Sequence, residues 1–228
     1  MEFWTYGQIR EKVESDLYLE DRSIVQPDEM MGYAQEAVND AEAEIHRLYE
    51  DYFLNTAPVT FVSGTADYAL PSDIYANKIR RFLYENGAER YTIDRLRDWK
   101  KFEIDSERNY VPDTIAYQYF ITNASAGTVR MHIVPTPTIS GAYGKLWYIR
   151  EASVIEDDDS VVDIPEFANF IMQYMKVRLY EKDQNANLQM AREQLEQQRM
   201  QMRATLAEMV PDADNRIEVD RSFYEEMN

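Results

Sequence analysis

No cysteine occurs in the 228 residues. That absence removes disulfide scaffolds, thiol nucleophiles, Cys-ligated zinc and iron–sulfur clusters in one step. Histidine is almost as scarce. His46 falls in a helical stretch and His132 in a strand-like one, and neither has a second His four residues on, so no helical zinc pair exists and both read as structural. The seven glycines form no Gly-x-Gly-x-x-Gly and no Gly-x-Ser-x-Gly. Gly144-Lys145 has Ile139 where a phosphate loop needs its first glycine and Leu146 where it needs Ser or Thr to hold magnesium. No run approaches the ~18 consecutive apolar residues of a membrane span. Met1 to Glu20 lacks the basic start and apolar stretch of a signal peptide, and the expectation is a soluble, intracellular protein. Positive charge is also short, with 24 basic against 42 acidic side chains, a net of −18 and a pI near 4.5. Such a surface cannot wrap nucleic acid by neutralising phosphates, although an acidic wall lets DNA slide past.

Enough apolar material is present for a core. Hydrophobic residues make up 45% of the chain, so wholesale disorder is excluded despite the charge. A chain of this length buries roughly 70–75% of its unfolded surface, as one domain or two small ones. Thr5 to Leu19 reads as a first helix with Thr5 as N-cap. A second runs from about Asp28 to Leu54, with an apolar stripe through Met31, Ala34, Val38, Ala41, Ile45 and Leu48. Its other face is acidic from Asp28 to Asp51 and is opposed only by Arg47. That face is either solvated, as the weakness of surface pairs favours, or meets a basic neighbour.

At Pro58 the period changes to two. Val59–Val62, Ile79–Tyr84, Thr114–Ile121, Val129–Val134 and Tyr143–Ile149 read as strands, with a short helix from Asp94 to Phe102 among them. Turn-length links favour an antiparallel meander. From Pro165 a helical period returns and continues to about Met209, some 65 Å if straight at ~1.5 Å per residue. Its second half thins to Leu188, Leu195, Met202 and Met209 at heptad spacing, padded by Ala191, Leu206 and glutamines. So narrow a seam favours a helix that projects and packs on another chain. The fold class is therefore α+β: a helical domain of residues 1–56 and 164–210, an inserted antiparallel β domain of 57–163, and an extended tail of 211–228.

Chemistry-bearing clusters are few. Glu156-Asp157-Asp158-Asp159 offers hard-cation oxygens but not the spacing of a calcium loop, and reads first as a solvated turn. Against the acidic background, Lys78, Arg80, Arg81, Arg90, Arg95, Arg97, Lys100 and Lys101 form a basic block with four acids interspersed. Such segregation supplies the two unlike faces that head-to-tail assembly requires. Arg80, Arg81, Lys100 and Lys101 of one copy would meet the acidic helix, or Asp157, Asp158 and Asp159, of the next.

The order of these parts resembles a known family. Two amphipathic helices precede Thr60-Phe-Val-Ser-Gly-Thr-Ala-Asp-Tyr68-Ala-Leu70-Pro71-Ser72-Asp73. Then come an Ile79-Arg-Arg strand, Ile133-Val-Pro135-Thr-Pro137 and an Asp163-Ile164-Pro165 helix start. The whole is similar to head-to-tail adaptors, the connector or tail tubular gatekeeper proteins, of short-tailed bacteriophages. The resemblance implies a virion structural protein without catalytic activity or cofactor, made in the bacterial host cytoplasm and placed at the head–tail junction. It implies a ring of twelve copies between the portal protein and tail, nozzle or tail-fibre proteins. Double-stranded DNA would pass through it without specific binding, and no membrane is involved. The resemblance assigns docking onto portal or neighbour to Leu195, Met202, Leu206 and Met209 and to Ile217, Val219, Phe223 and Tyr224 of the tail. Twelve copies would carry about −216 charges, a field that opposes DNA adhesion during packaging and ejection. Two alternatives stay open on the residues alone: a cytosolic helical interaction module, and a carboxylate metal enzyme centred on Asp157 to Asp159.

Overall fold

The computed structural model describes residues 3–17, 25–97, 116–123 and 129–209. They divide into two compact units, residues up to Tyr49 with those from Val154 onward, and Glu50–Ser153. The β insertion therefore begins and ends earlier than the 57–163 expected from sequence. Both shifts have local causes. Strand pairing already starts at Leu54. The segment after Ser153 is tied to the first helix: the Tyr6 and Gly7 amides donate to the Ser160 and Asp158 carbonyls at 2.9 Å each, and the Val162 amide donates to the Trp4 carbonyl at 2.9 Å.

The helical unit holds four described α-helices. Helix α1, Tyr6–Asp16, opens on a capping box: the Gln8 amide donates to the Thr5 hydroxyl while the Thr5 amide donates to the Gln8 side chain. It buries Tyr6, Ile9 and Val13. Helix α2, Pro27–Leu48, has proline at its first position and buries Met30, Ala34, Ala37, Val38, Ala41 and Ile45. The stripe expected from sequence holds from Ala34 to Ile45, but Met30 faces inward where Met31 is expected, and Met31 and Leu48 are half-buried. It ends six residues short of the expected Leu54, in a 3-10 turn over Glu50–Phe53.

The expected long helix is two helices. A 3-10 turn at Pro165–Phe167 leads into α3, Ala168–Lys182, and α4 runs over Leu188–Met209. Between them Gln184 takes φ +50°. Its amide donates to the Glu181 carbonyl, and the Asn185 amide donates to the Tyr180 carbonyl at 3.0 Å. That paired 5→2 and 6→1 arrangement is a Schellman stop, in which glutamine occupies the left-handed position usually given to glycine. Helix α4 then folds back along α3 instead of projecting. The Gln173 side-chain amide donates to the Ala191 carbonyl at 3.0 Å, and the Arg199 guanidinium lies 5.4 Å from the Phe170 ring centroid.

Among the described residues the β unit is a sandwich of two four-stranded sheets. Its strands are β1 (Leu54–Thr60), β2 (Asp67–Ala69), β3 (Ile74–Asn86), β4 (Glu89–Thr92), β5 (Asp94–Arg95), β6 (Gln118–Asn123), β7 (Val129–Val134) and β8 (Tyr143–Arg150). One sheet has the order β1-β8-β3-β4 and the other β2-β7-β6-β5. Every pairing is antiparallel except β5 with β6. The arrangement is not the simple meander expected, because β1 pairs with β8 and so closes the unit where its chain enters and leaves. The expected helix from Asp94 is also absent at its start, where Asp94 and Arg95 are strand; Asp98 to Phe102 lie outside the described residues.

Inward-facing residues from both sheets form one aromatic core around Phe61, Phe82, Tyr84, Tyr117 and Tyr119. Phe61 stacks on Tyr117 at 5.6 Å and meets Tyr84 edge-on at 5.2 Å. Gly144 makes this closeness possible, since a β-carbon there would lie 2.8 Å from Phe82 Cε2 and 2.9 Å from Phe61 Cε2.

Candidate interaction surfaces

Much of the acidic face of α2 is engaged, although Asp28 is exposed. That face meets basic side chains of its own chain, the neighbour that composition left unspecified. Lys182 and Arg178 of α3 pair with Glu29 and Glu36. Arg199 and Arg203 of α4 pair with Asp40 at 2.7 Å and Glu44 at 2.6 Å. Asp40 and Glu44 are one turn apart on α2, as are Arg199 and Arg203 on α4, so the two helices meet in matched steps. Lys176 extends the pattern to Asp16 of α1 at 2.7 Å. Matching four-residue spacing of opposite charge is the sequence signal that could have found this ladder.

These contacts set the carboxyl energetics. Hydrogen bonds from Lys176, Lys182, Arg203 and Arg192 hold Asp16, Glu29, Glu44 and Glu181 below their ordinary values of 3.8 and 4.5. For Glu44, which is only 9% exposed, burial acts the other way and is outweighed.

Of the residues expected to dock onto another chain, Leu195, Met202 and Leu206 are 8%, 2% and 0% exposed within their own unit. Met209, which ends α4, is half-buried. The apolar seam that sequence offers to a partner is thus covered by the chain itself. Ile217, Val219, Phe223 and Tyr224 lie outside the described residues. Exposed apolar groups on α4 are instead Met190 and Met200, at 54% and 60%.

The charged candidates divide in the same way. Asp158 is engaged inside the unit by the Arg10 guanidinium, which donates to both carboxylate oxygens at 2.6 and 2.8 Å. Asp157 accepts from the Ser160 hydroxyl at 2.8 Å, and Asp159 is exposed. Arg80 is committed to Glu50 and to Asp51, the latter at 2.7 Å. Arg81 differs. It lies over the Trp147 ring at 5.7 Å, with Lys145 over the same ring at 4.8 Å. Lys100 and Lys101 lie outside the described residues. Sequence reasoning named Arg81 but missed Lys145 and Trp147, which only the β3–β8 register brings beside it.

Among the described residues no group of three or more His, Asp or Glu side chains is arranged to hold a metal ion. In the acidic turn that reads first as solvated, and that alone offered hard-cation oxygens in sequence, Asp158 binds Arg10 and Asp157 binds Ser160. Among the described residues no helix is long and apolar enough to cross a membrane.

The described chain is mixed α+β, and many of its charged groups pair with one another inside their own unit. Comparison with protein families makes the assignment. Residues 4–221 match the SU10 adaptor protein family, and the chain belongs to it. It is accordingly a bacteriophage head-to-tail adaptor, a structural protein. A search of curated proteins returned no match.

Proposed function

We propose that this adaptor forms a closed ring, of twelve copies, between the portal protein and the tail, and that DNA passes through the ring during packaging and ejection. The observation that carries the reading is family membership over nearly the whole chain. The charge distribution supports it. The β unit has 12 basic and 13 acidic residues, a net of −1, and the remaining 12 basic and 29 acidic residues give the rest of the chain −17. A ring that gathers such carboxylates around a channel repels phosphate and keeps DNA mobile. Its work is mechanical, with no bond made or broken.

Docking onto the portal or a neighbour falls to the tail, through Ile217, Val219, Phe223 and Tyr224. Leu195, Met202 and Leu206 act inside the chain and support the surface from beneath. Quantitative mass spectrometry of purified virions tests the reading. The adaptor is expected in the particle at the copy number of the portal protein. Its absence would refute the proposal and favour a helical interaction module that acts in the host cell.

A further inference from the structure

The outer face of the β1-β8-β3-β4 sheet carries a platform that the internal ion pairs leave alone. Trp147 on β8 stands opposite Thr56 on β1 and Arg81 on β3. Lys145, two residues back on the same face, stands opposite Pro58 and Leu83. Both cations lie over the indole, and among the described residues neither forms an ion pair. By register the nearest carboxylate on this face is Glu85, which has Arg90 opposite it. Two positive charges thus frame an aromatic plate, with threonine and proline beside it and no anion between them.

We infer that this face binds the acidic surface of the helical unit of a second copy of the same chain. The inference rests on the ring reading above and names the two faces that would meet in it. Charge decides the occupant. The helical unit and tail carry −17 against −1 for the β unit. The cations on α1, α3 and α4 are all paired with carboxylates of their own unit. Arg47 of α2 is exposed and is the exception; what the helical unit shows outward is otherwise surplus carboxylate, while Arg81 and Lys145 sit together on the sheet. Two unlike, complementary faces on one chain make a heterologous contact, which closes into a ring when its rotation permits. Phosphate of duplex DNA is the weaker candidate, because two cations displace few counterions and the −17 elsewhere repels the duplex.

The test is sedimentation velocity on the full chain, from about 0.05 M to about 1 M salt, where the screening length falls to about 3 Å. Wild type is expected to self-associate at low salt and to dissociate as salt rises. Arg81→Glu/Lys145→Glu should raise the dissociation constant at least tenfold while keeping the wild-type melting curve. The conservative Arg81→Lys/Lys145→Arg variant should associate like wild type. Association of the reversed variant at wild-type strength would overturn this contact and leave the ring reading standing. A wild-type chain that stays monomeric throughout would overturn both. Retention of a labelled DNA duplex by wild type, lost in the reversed variant without a change in self-association, would show that the face takes phosphate, and would equally overturn the inference.

Discussion

Leu206→Ala separates the fold-back of α4 from a projecting helix. The side chain is fully buried inside the helical unit. Truncation removes three carbons, worth about 2.4 kcal/mol at ~0.8 kcal/mol per buried methylene, and the residual cavity raises the loss to about 3 kcal/mol. For a chain of this size each kcal/mol moves the melting point by about 2–4 °C, so a fall of about 6–12 °C follows. The assay is urea and thermal unfolding followed by far-UV circular dichroism, at concentrations where sedimentation shows monomer. Met200→Ala, at a 60% exposed site one turn and a half away on α4, is the control and should cost under about 0.5 kcal/mol. A Leu206→Ala loss that vanishes in the monomer and appears only on association would refute the fold-back. It would return α4 to the role of a seam between chains.

Three further outcomes are expected. Gly144→Ala forces a methyl between Phe61 and Phe82, and overpacking of this kind should cost about 1–3 kcal/mol, read from the urea midpoint. The lowered carboxyls Asp16, Glu29, Glu44 and Glu181 stabilise the fold above their ordinary values of 3.8 and 4.5. That contribution fades as pH falls through their lower folded values. Stability measured from pH 7 downward should therefore drop most steeply below about pH 4.5, and Glu44→Gln should be weaker at pH 7 and flatter across that window. Phe223→Ala/Tyr224→Ala should leave the melting curve unchanged and weaken capture of the portal protein in a pull-down; undiminished capture would remove the tail from the docking surface.

Local periodicity made much of the fold legible. Thr5 as N-cap, the stripe from Ala34 to Ile45, and the strand at Val129–Val134 appear where spacing put them. What failed was chain reversal. The turn after Lys182 has neither glycine nor proline, because Gln184 itself adopts the left-handed conformation, so two helices read as one. In an unbroken helix, a stripe of Leu195, Met202 and Leu206 is too narrow for a free-standing core and reads as a seam for another chain. Folded back, it has α2 and α3 to pack on, and a narrow stripe is sufficient. The basic neighbour of the acidic face of α2, one of two readings the sequence leaves open, is supplied by Arg178 and Lys182 of α3 and, through the same reversal, by Arg199 and Arg203 of α4.

The platform at Trp147 was hidden differently. Arg81 belongs to a basic run visible in sequence, but Lys145 and Trp147 lie more than sixty residues later. Only the pairing of Arg81 with Trp147 and of Leu83 with Lys145 unites them. Arg80, adjacent in sequence, points its charge at Glu50 and Asp51 and drops out. Register, which a single residue's slip inverts, is what distinguishes the two arginines.

The central claim is position in the particle. Gold-labelled antibody against this chain, applied to intact virions and viewed by electron microscopy, tests it most directly. Label is expected only at the junction of head and tail. Label over the capsid shell or the tail fibres, or none on particles that contain the protein's portal partner, would contradict it.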